Sequence, residues 1–550
     1  MNAVSPKPRI RVRADGTFPD QPGMMALTGF SGRAYDAGRW DTPEMVNWTP
    51  PLTDSTDEVL DSRDAVTRRA RDLVRNNPII SGAIDRRAES VVGANIRVES
   101  QPAFELIGQN ADWADAWATN VENLFEVWGK DPRNLCDAQM HSQFGGLVDT
   151  AYRHWWVDGE AAATIKLIPA TKSRIGAKFE TAIDIIDPDR ISNPNGTADY
   201  TVLQNGNTLI GGIEYDKNNA AVAYHIRKSH PSQMNAMTDV FTWVRVRRFG
   251  RTGKPLFVHA FKRNRADQKK GISRFVAAIK RIKMFDRYDD AELEAALLNS
   301  VMAASVTSNG TTQDVAEMLA PAGEEAESAA IARMSYRTEH PIRTDRIRTL
   351  HLLDGEKYEL HGAEHPSQNY PDFQASGLRQ FASNFGLSYA QVSQNWADIN
   401  YSSARAMLNE IWRGLLHDRT LFTQAFCTPI YSAFLEEAVA RGMVQIPGGP
   451  LNYYVWRSEL TMCEWMGPGR GSVDPLKEGQ ANEFEYNMGI ADLDSIGAQY
   501  GRDPRKTLRK QARDRKYRES LGLPEYQPLK TGGPQAEETP PTKAEMEDAQ

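Results

Sequence analysis

The stretch His361-Gly362-Ala363-Glu364-His365 spells H-x-x-E-H, a metallohydrolase signature in which two imidazoles hold zinc and a carboxylate activates water. The motif works on a helix, where both His side chains face the metal from one side. Here Gly362 weakens a helix, and Pro366 drives His365 out of the α region. A zinc metallohydrolase built on His361, Glu364 and His365 is therefore the alternative reading, not the expected one. Asp158 and Glu160, which follow Trp155-Trp156 and flank Gly159, look like a carboxylate pair, but the sequence places no His or metal ligand beside them. A strand entered through a turn accounts for them. No G-x-x-x-x-G-K-S/T occurs, which excludes an ATP-driven motor, and no G-x-S-x-G occurs either. Cys136, Cys427 and Cys463 lack C-x-x-C spacing, which argues against a disulfide framework or a thiolate zinc site and fits a reducing cytoplasm. The expectation is a non-enzyme without catalytic, cofactor-binding or metal-binding residues.

Cationic residues are the other candidates. Lys280, Lys283 and Arg287 are spaced three and four apart, so a helix carries them as one stripe. That stripe either faces a polyanion or pairs with acidic groups. Residues 502–518 hold nine Lys/Arg against two Asp, a pattern open to DNA contact and equally to a solvated helix. The whole chain is mildly acidic, with formal net charge −7 from 65 basic and 72 acidic side chains. Sequence-specific DNA binders have basic domains, so tight wrapping of nucleic acid is not expected, and the charge balance leaves passing contact with DNA open.

The elements that must position these groups are mostly helical. At 550 residues, two to four domains are expected. Residues 1–60 are rich in Pro, Gly and Asp and read as an arm. A helix is expected from about Ser62 to the break at Asn77-Pro78, and a second over Ile79–Val92, closed by Gly93. A third, Ala111–Trp128, carries a stripe of Trp113, Trp117, Val121, Leu124 and Trp128. Between them and the next long helix lie short β-prone runs at Ala161–Pro169, Ala182–Ile186, Ala221–Arg227 and Trp243–Phe249. Ser273–Ala304 is one long helical pattern, basic in its first half and acidic in its second. Leu350–Leu353 and Lys357–Leu360 are expected to pair as a hairpin.

Phe385-Gly386-Leu387-Ser388-Tyr389 forms a turn. After it comes Asn400-Tyr401-Ser402-Ser403-Ala404-Arg405, where Asn400 or Ser402 is expected to cap a helix with apolar positions at Ala404, Leu408, Ile411, Leu415, Phe422 and Phe426. Pro429 is expected to break or kink that helix and Gly442 to close it. From Pro524 a Pro/Gly/Glu-rich tail reads as disordered. No secretory signal is expected, and the apolar run Ala295–Val306 is too short and polar to cross a membrane. The fold class is α+β, predominantly helical.

Several segments together carry a family resemblance. They are Arg71-Asp72-Leu73-Val74-Arg75-Asn76-Asn77-Pro78, Val91-Val92-Gly93, Trp156-Val157-Asp158-Gly159-Glu160, Gly211–Tyr224 with His230-Pro231, Arg265–Gly271 and Tyr288-Asp289-Asp290-Ala291-Glu292-Leu293. The Phe385–Tyr389 and Asn400–Arg405 motifs continue the series, which ends in Trp465-Met466-Gly467-Pro468-Gly469-Arg470-Gly471 and Asp474-Pro475 with Glu478. In this order, over residues 60–505, the chain resembles the phage portal proteins of the lambda family. The resemblance implies a portal-type subunit with an α+β wing, helical stem, clip and helical crown. It implies a dodecameric ring at one capsid vertex of the virion, through which double-stranded DNA is packaged by the terminase large subunit and later ejected. The major capsid and scaffold proteins and the head-completion or tail connector proteins would be its other partners, with assembly in the host cytoplasm and no membrane.

The parts would fall on this chain as arm 1–60, wing 61–270, stem helix 271–304 and clip 305–360. A second stem helix and tunnel loop would take 361–400, with the loop at Ser388–Asn400. The inner wing and crown would take 401–523 and the acidic tail 524–550. Lys280, Lys283 and Arg287 would face the channel. Asn400, Tyr401, Ser402, Ser403 and Arg405 would form the structural joint behind the loop, with Arg405 pairing across a subunit contact. A monomeric nucleic-acid-binding protein using 502–518 is the remaining alternative.

Overall fold

Asn77 and Pro78 do stop the first helical run, and the chain reverses its bookkeeping of caps there. In the computed structural model, helix α1 spans Ser55–Asn76 and α2 spans Pro78–Val91. The Asn77 side chain accepts the Ile80 N–H, while Pro78 occupies the first turn, where its missing N–H is no loss. Helix α1 begins before the expected Ser62, because the Asp54 carboxylate accepts the Thr56 N–H. The structure describes residues 42–94, 96–171, 174–233, 237–300, 304–308, 356–360, 370–397, 401–471 and 474–524, with the isolated residues 37 and 335. His361, Glu364 and His365, Asn400, most of the expected clip and the tail beyond Pro524 lie outside the described residues. Two units divide the chain, Met1–Glu58 and Val59–Gln550. Within the first, turns at Thr42–Trp48 precede the start of α1.

In the second unit, strand β1 (Arg97–Ser100) leads to α3 (Ala111–Gly129) and α4 (Phe144–Val157). Then come β2 (Glu160–Leu167), β3 (Thr181–Ile186), β4 (Thr201–Val202), β5 (Thr208–Ile210), β6 (Ile213–Tyr215), β7 (Ala221–Arg227), β8 (Trp243–Arg247) and β9 (Phe257–Phe261). Strands β4 to β8 form an antiparallel meander, and β3, β2 and β9 a three-stranded antiparallel sheet with β2 in the middle. Helix α5 (Val276–Ser300) follows, then β10 (Ala304–Ser308) paired antiparallel with β11 (Glu356–Leu360). The 357–360 strand thus pairs with 304–308; its expected partner, Leu350–Leu353, lies outside the described residues. Helices α6 (Tyr370–Phe385), α7 (Tyr389–Ser393) and α8 (Tyr401–Ala440) come next, then β12 (Cys463–Met466), α9 (Pro475–Asn487), α10 (Leu493–Gln499) and α11 (Pro504–Ser520).

Trp155 and Trp156 close helix α4 instead of opening a strand; Gly159 makes the turn into β2. Its φ of +87° suits glycine, and a Cβ there would sit 2.1 Å from the Ile272 carbonyl carbon.

Helix α8 runs unbroken through Pro429, against the expected break. A proline inside a helix forfeits one hydrogen bond, but Phe422, Phe426, Cys427, Ile430, Tyr431, Ala433, Phe434 and Leu435 around the half-buried Pro429 are all fully buried. Packing of that order outweighs a local penalty of about 3 kcal/mol, since each large apolar side chain buried contributes roughly 1.5–3 kcal/mol. Gly442 ends the run as expected, with φ +69°. Because α8 packs on β9, β3, β2, α4 and α2, the main core joins the 61–270 segment to 401–466. Phe125 on α3 touches Phe144, Tyr431, Phe434 and Trp465, so the Trp stripe of α3 is core. A second, smaller core lies under the meander, around Ile210, Ile213, Tyr224 and Phe257.

Candidate functional site: a buried charge joint beneath two paired helices

Helices α5 and α6 pack through Ile282, Phe285, Leu378 and Phe381. Phe285 stacks on Phe373 at 5.8 Å and meets Phe381 edge-on at 5.3 Å. It lies directly over Gly377, where a Cβ would come within 2.4 Å of its ring. Lys280, Lys283 and Arg287 are exposed, on the side of α5 away from Ile279, Ile282 and Phe285. Lys283 reaches Asp286 at 3.9 Å, a pair too exposed to contribute much. The expected stripe is therefore present on one face of a helix whose other face is locked.

At the foot of this pair, helix α6 ends in Phe385-Gly386-Leu387. Gly386 adopts φ +61°, and Leu387 N–H returns to the Ala382 carbonyl at 3.0 Å, a helix stop that favours glycine. Ser388 then caps α7 in a capping box: its Oγ accepts the Gln391 N–H at 3.1 Å, and the Gln391 side chain accepts the Ser388 N–H at 2.9 Å. So the described start of the expected tunnel loop, Ser388–Ser393, is a short helix with Ala390 and Val392 buried. Ser402 is not a cap, because α8 already begins at Tyr401. Arg405 is exposed.

The carbonyl of Phe385 accepts a hydrogen bond from Arg87 Nη1 of α2. Arg87 Nη2 donates to Asp418 Oδ2 of α8 at 2.9 Å. Tyr152 Oη and Trp156 Nε1 of α4 donate to the same oxygen at 2.7 and 3.0 Å, and Arg274, just before α5, pairs with Oδ1 at 3.0 Å. Two guanidinium groups lie over the Trp156 ring, Arg87 at 4.0 Å and Arg274 at 4.8 Å from its centroid. Asp418 is 3 % exposed. Burial raises its pKa, but Arg274, Arg87 and the two hydroxyl and indole donors outweigh that and hold it well below the usual carboxylate range. One carboxylate thus ties α2, α4, α8 and the segment before α5 together, and Arg87 joins the end of α6 to them.

Beside it, Arg419 Nε donates to the Val91 carbonyl at 2.8 Å, and Nη2 to Ser90 and Pro468 carbonyls, each at 2.9 Å. A guanidinium on the last carbonyls of α2 satisfies acceptors the helix leaves open. Burial lowers the Arg419 pKa to about 10.

Two further networks use the Asp158-Gly159-Glu160 turn. Arg71 donates to Asp158 at 2.7 Å and also pairs with Asp187 and Asp189. His154 lies 2.5 Å from Asp158 and His230 3.4 Å from Asp189. Asp187, Asp189 and His230 come close enough together to bind a cation, but Arg71 already pairs with both carboxylates. Glu160, fully buried, accepts from Arg63 at 2.7 Å and Lys270 at 3.1 Å and lies 3.0 Å from His259. Opposing cations hold both Asp158 and Glu160 ionised against the effect of burial, so neither is poised as a general acid. The sequence signal for the joint was a charge on an apolar face: Asp418 and Arg419 fall between Leu415 and Phe422 at core spacing.

Segments far apart in sequence meet here: Arg71 with Asp158, Gly93 against Pro468, Arg419 with Val91 and Pro468. The model of the family described as "Phage portal protein, lambda family" matches residues 41–419. The chain belongs to that family. Portal proteins are structural components of the virion, and this portal protein is an α+β subunit dominated by helices. It is 26 % identical over 508 residues to Portal protein B of Escherichia phage lambda, covering 91 % of this chain and 92 % of that protein. It is 25 % identical over 488 residues to the Portal protein of Escherichia phage N15, covering 87 % and 89 %. Among solved structures it is similar to a chain in the neck of an empty gene transfer agent particle computed with C6 symmetry. That match has 13 % identity and a TM-score of 0.44, and covers 84 % of this chain and 94 % of the other. No described helix of the portal protein is long and apolar enough to cross a membrane.

Proposed function

We propose that this portal protein closes into a ring of identical subunits, twelve in the assembled particle, around a channel for double-stranded DNA at one capsid vertex. Identical subunits close a ring through head-to-tail contacts between unlike faces. The observation that carries the reading is the α5–α6 pair: one face of α5 is locked on α6, while the opposite face presents Lys280, Lys283 and Arg287 to solvent. In a ring such a face lines the passage. A net charge of −7 keeps the subunit from gripping what it conducts, because each neutralised phosphate releases counterions and strengthens binding.

On this reading, residues 61–270 contribute the wing, 271–304 and the helix before Ser388 the stem, 305–360 the clip and 401–523 the inner wing and crown. The terminase large subunit meets the clip during packaging. The capsid and scaffold proteins surround the wing, and tail connector proteins bind after packaging in the host cytoplasm. The buried joint at Asp418 then fixes the angle between stem and inner wing. Electron microscopy of the purified protein tests the proposal: rings with a central hole are the expected image. A uniform monomer at all concentrations overturns it.

A further inference from the structure

Helix α11 has no buried residue and carries Lys506, Arg509, Lys510 and Arg513 on one side at helical spacing. Its first turns are fastened to α3: Arg505 pairs with Asp115, Lys506 with Glu122 at 3.2 Å, and Arg509 donates to Thr119 Oγ1 at 3.0 Å. Beyond that attachment a groove of about 760 Å3 opens between α11, α3 and the start of β1. Arg97, Arg502, Lys510 and Arg513 line it and make no ion pair among the described residues. Its two acids are already engaged. Glu126 pairs with Lys130 at 2.6 Å, and Asp503 accepts the Lys506 N–H at 2.9 Å as the cap of α11. The groove is therefore cationic, and its lining is polar apart from Tyr500, Gly501 and the aliphatic stems. An interface with a folded protein centres on a cluster of apolar and aromatic anchors, and this groove offers Tyr500 alone. Guanidinium groups suit phosphate oxygens bidentately. From Lys506 to Arg513 the stripe runs about 10 Å along the helix, the axial length of roughly three phosphates of one strand.

We propose that this groove binds the phosphodiester backbone of duplex DNA without reading its sequence. The site lies apart from α5, and the inference requires neither a ring nor a channel. Fluorescence anisotropy of a labelled duplex of about 25 base pairs, titrated with the full-length protein between 50 and 200 mM salt, tests it. The expected result is salt-sensitive binding by the natural protein. Combining Arg502→Glu, Lys510→Glu and Arg513→Glu should weaken binding at least tenfold at 50 mM salt, and the neutral Gln triple should lower the log–log salt slope by about 3. Lys510→Arg should retain affinity. The proposal is overturned if the natural protein does not bind, or if both triples bind with unchanged affinity and slope. It is also overturned if the triples change the assembly state while DNA affinity stays the same, which makes the groove a contact between subunits. Electron microscopy of the same samples separates the two ideas: absence of rings speaks against the channel and leaves the anisotropy result standing.

Discussion

Arg87 and Asp418, 331 positions apart in sequence, meet at 2.9 Å in the interior, and the same guanidinium holds the last carbonyl of helix α6. Truncating the carboxylate leaves Arg87 and Arg274 charged and unpaired in a dry site. Asp418→Ala should therefore lower stability by about 3–5 kcal/mol, whereas Asp418→Asn, which still accepts from Tyr152 and Trp156, should lose less. Thermal or denaturant unfolding of both variants measures this. A double-mutant cycle with Arg87→Met should show non-additivity, because the two charges share one network.

Gly377 should be intolerant of size. A Cβ at this position falls 2.4 Å from the Phe285 ring. Gly377→Val should cost about 1–3 kcal/mol through overpacking. Adding Phe285→Leu should recover part of that loss if the clash is with this ring. Failure of the second substitution to recover any stability would place the strain elsewhere on α6.

Ser388 should act as a cap and not as part of a mobile loop. Ser388→Ala removes the acceptor for the Gln391 N–H and should cost about 1 kcal/mol. Hydrogen exchange at residues 389–393 should quicken in the variant, while exchange in α8 should stay as it was.

The attachment of the C-terminal helices should depend on pH. Burial pushes the Glu99 pKa up to about 7, and the nearby carboxylates of Asp494, Glu122, Glu464 and Asp503 add to the shift. A carboxylate with a raised folded pKa favours the protonated form, so its ionisation opposes folding. The penalty is absent below the unfolded value of 4.5 and grows as pH rises through about 7. Limited proteolysis of residues 493–520 should be slower at pH 5.5 than at pH 8. Glu99→Gln should flatten that difference.

The exposed stripe on α5 should govern DNA transport and not assembly. Reversing Lys280, Lys283 and Arg287 to Glu should change packaging rate or packaged DNA length with rings intact. Loss of rings in that variant would make the stripe a subunit contact.

Local chemistry in the sequence determined much of this molecule. Asn77-Pro78, Gly93, Gly386 and Gly442 mark chain reversals because caps and left-handed residues act within a few positions. The Trp stripe of α3 follows from helical periodicity, and the strands near 161–167, 182–186 and 221–227 from short β-prone runs between turns, for the same reason. The spread of family segments from 60 to 505 located the protein among portal proteins. Tertiary structure alone decided the rest. It carried α8 through Pro429, because surrounding burial outweighs one lost hydrogen bond. It turned the Ser388 segment into a docked helix and made Asp158 and Glu160 structural ions. It also joined residues 97–100 to 463–466 as one β-pair. Each of these outcomes depends on partners distant in sequence, from 87 positions for Arg71 and Asp158 to 331 for Arg87 and Asp418, and the affinity of a buried charge for such a partner leaves no local pattern in the chain.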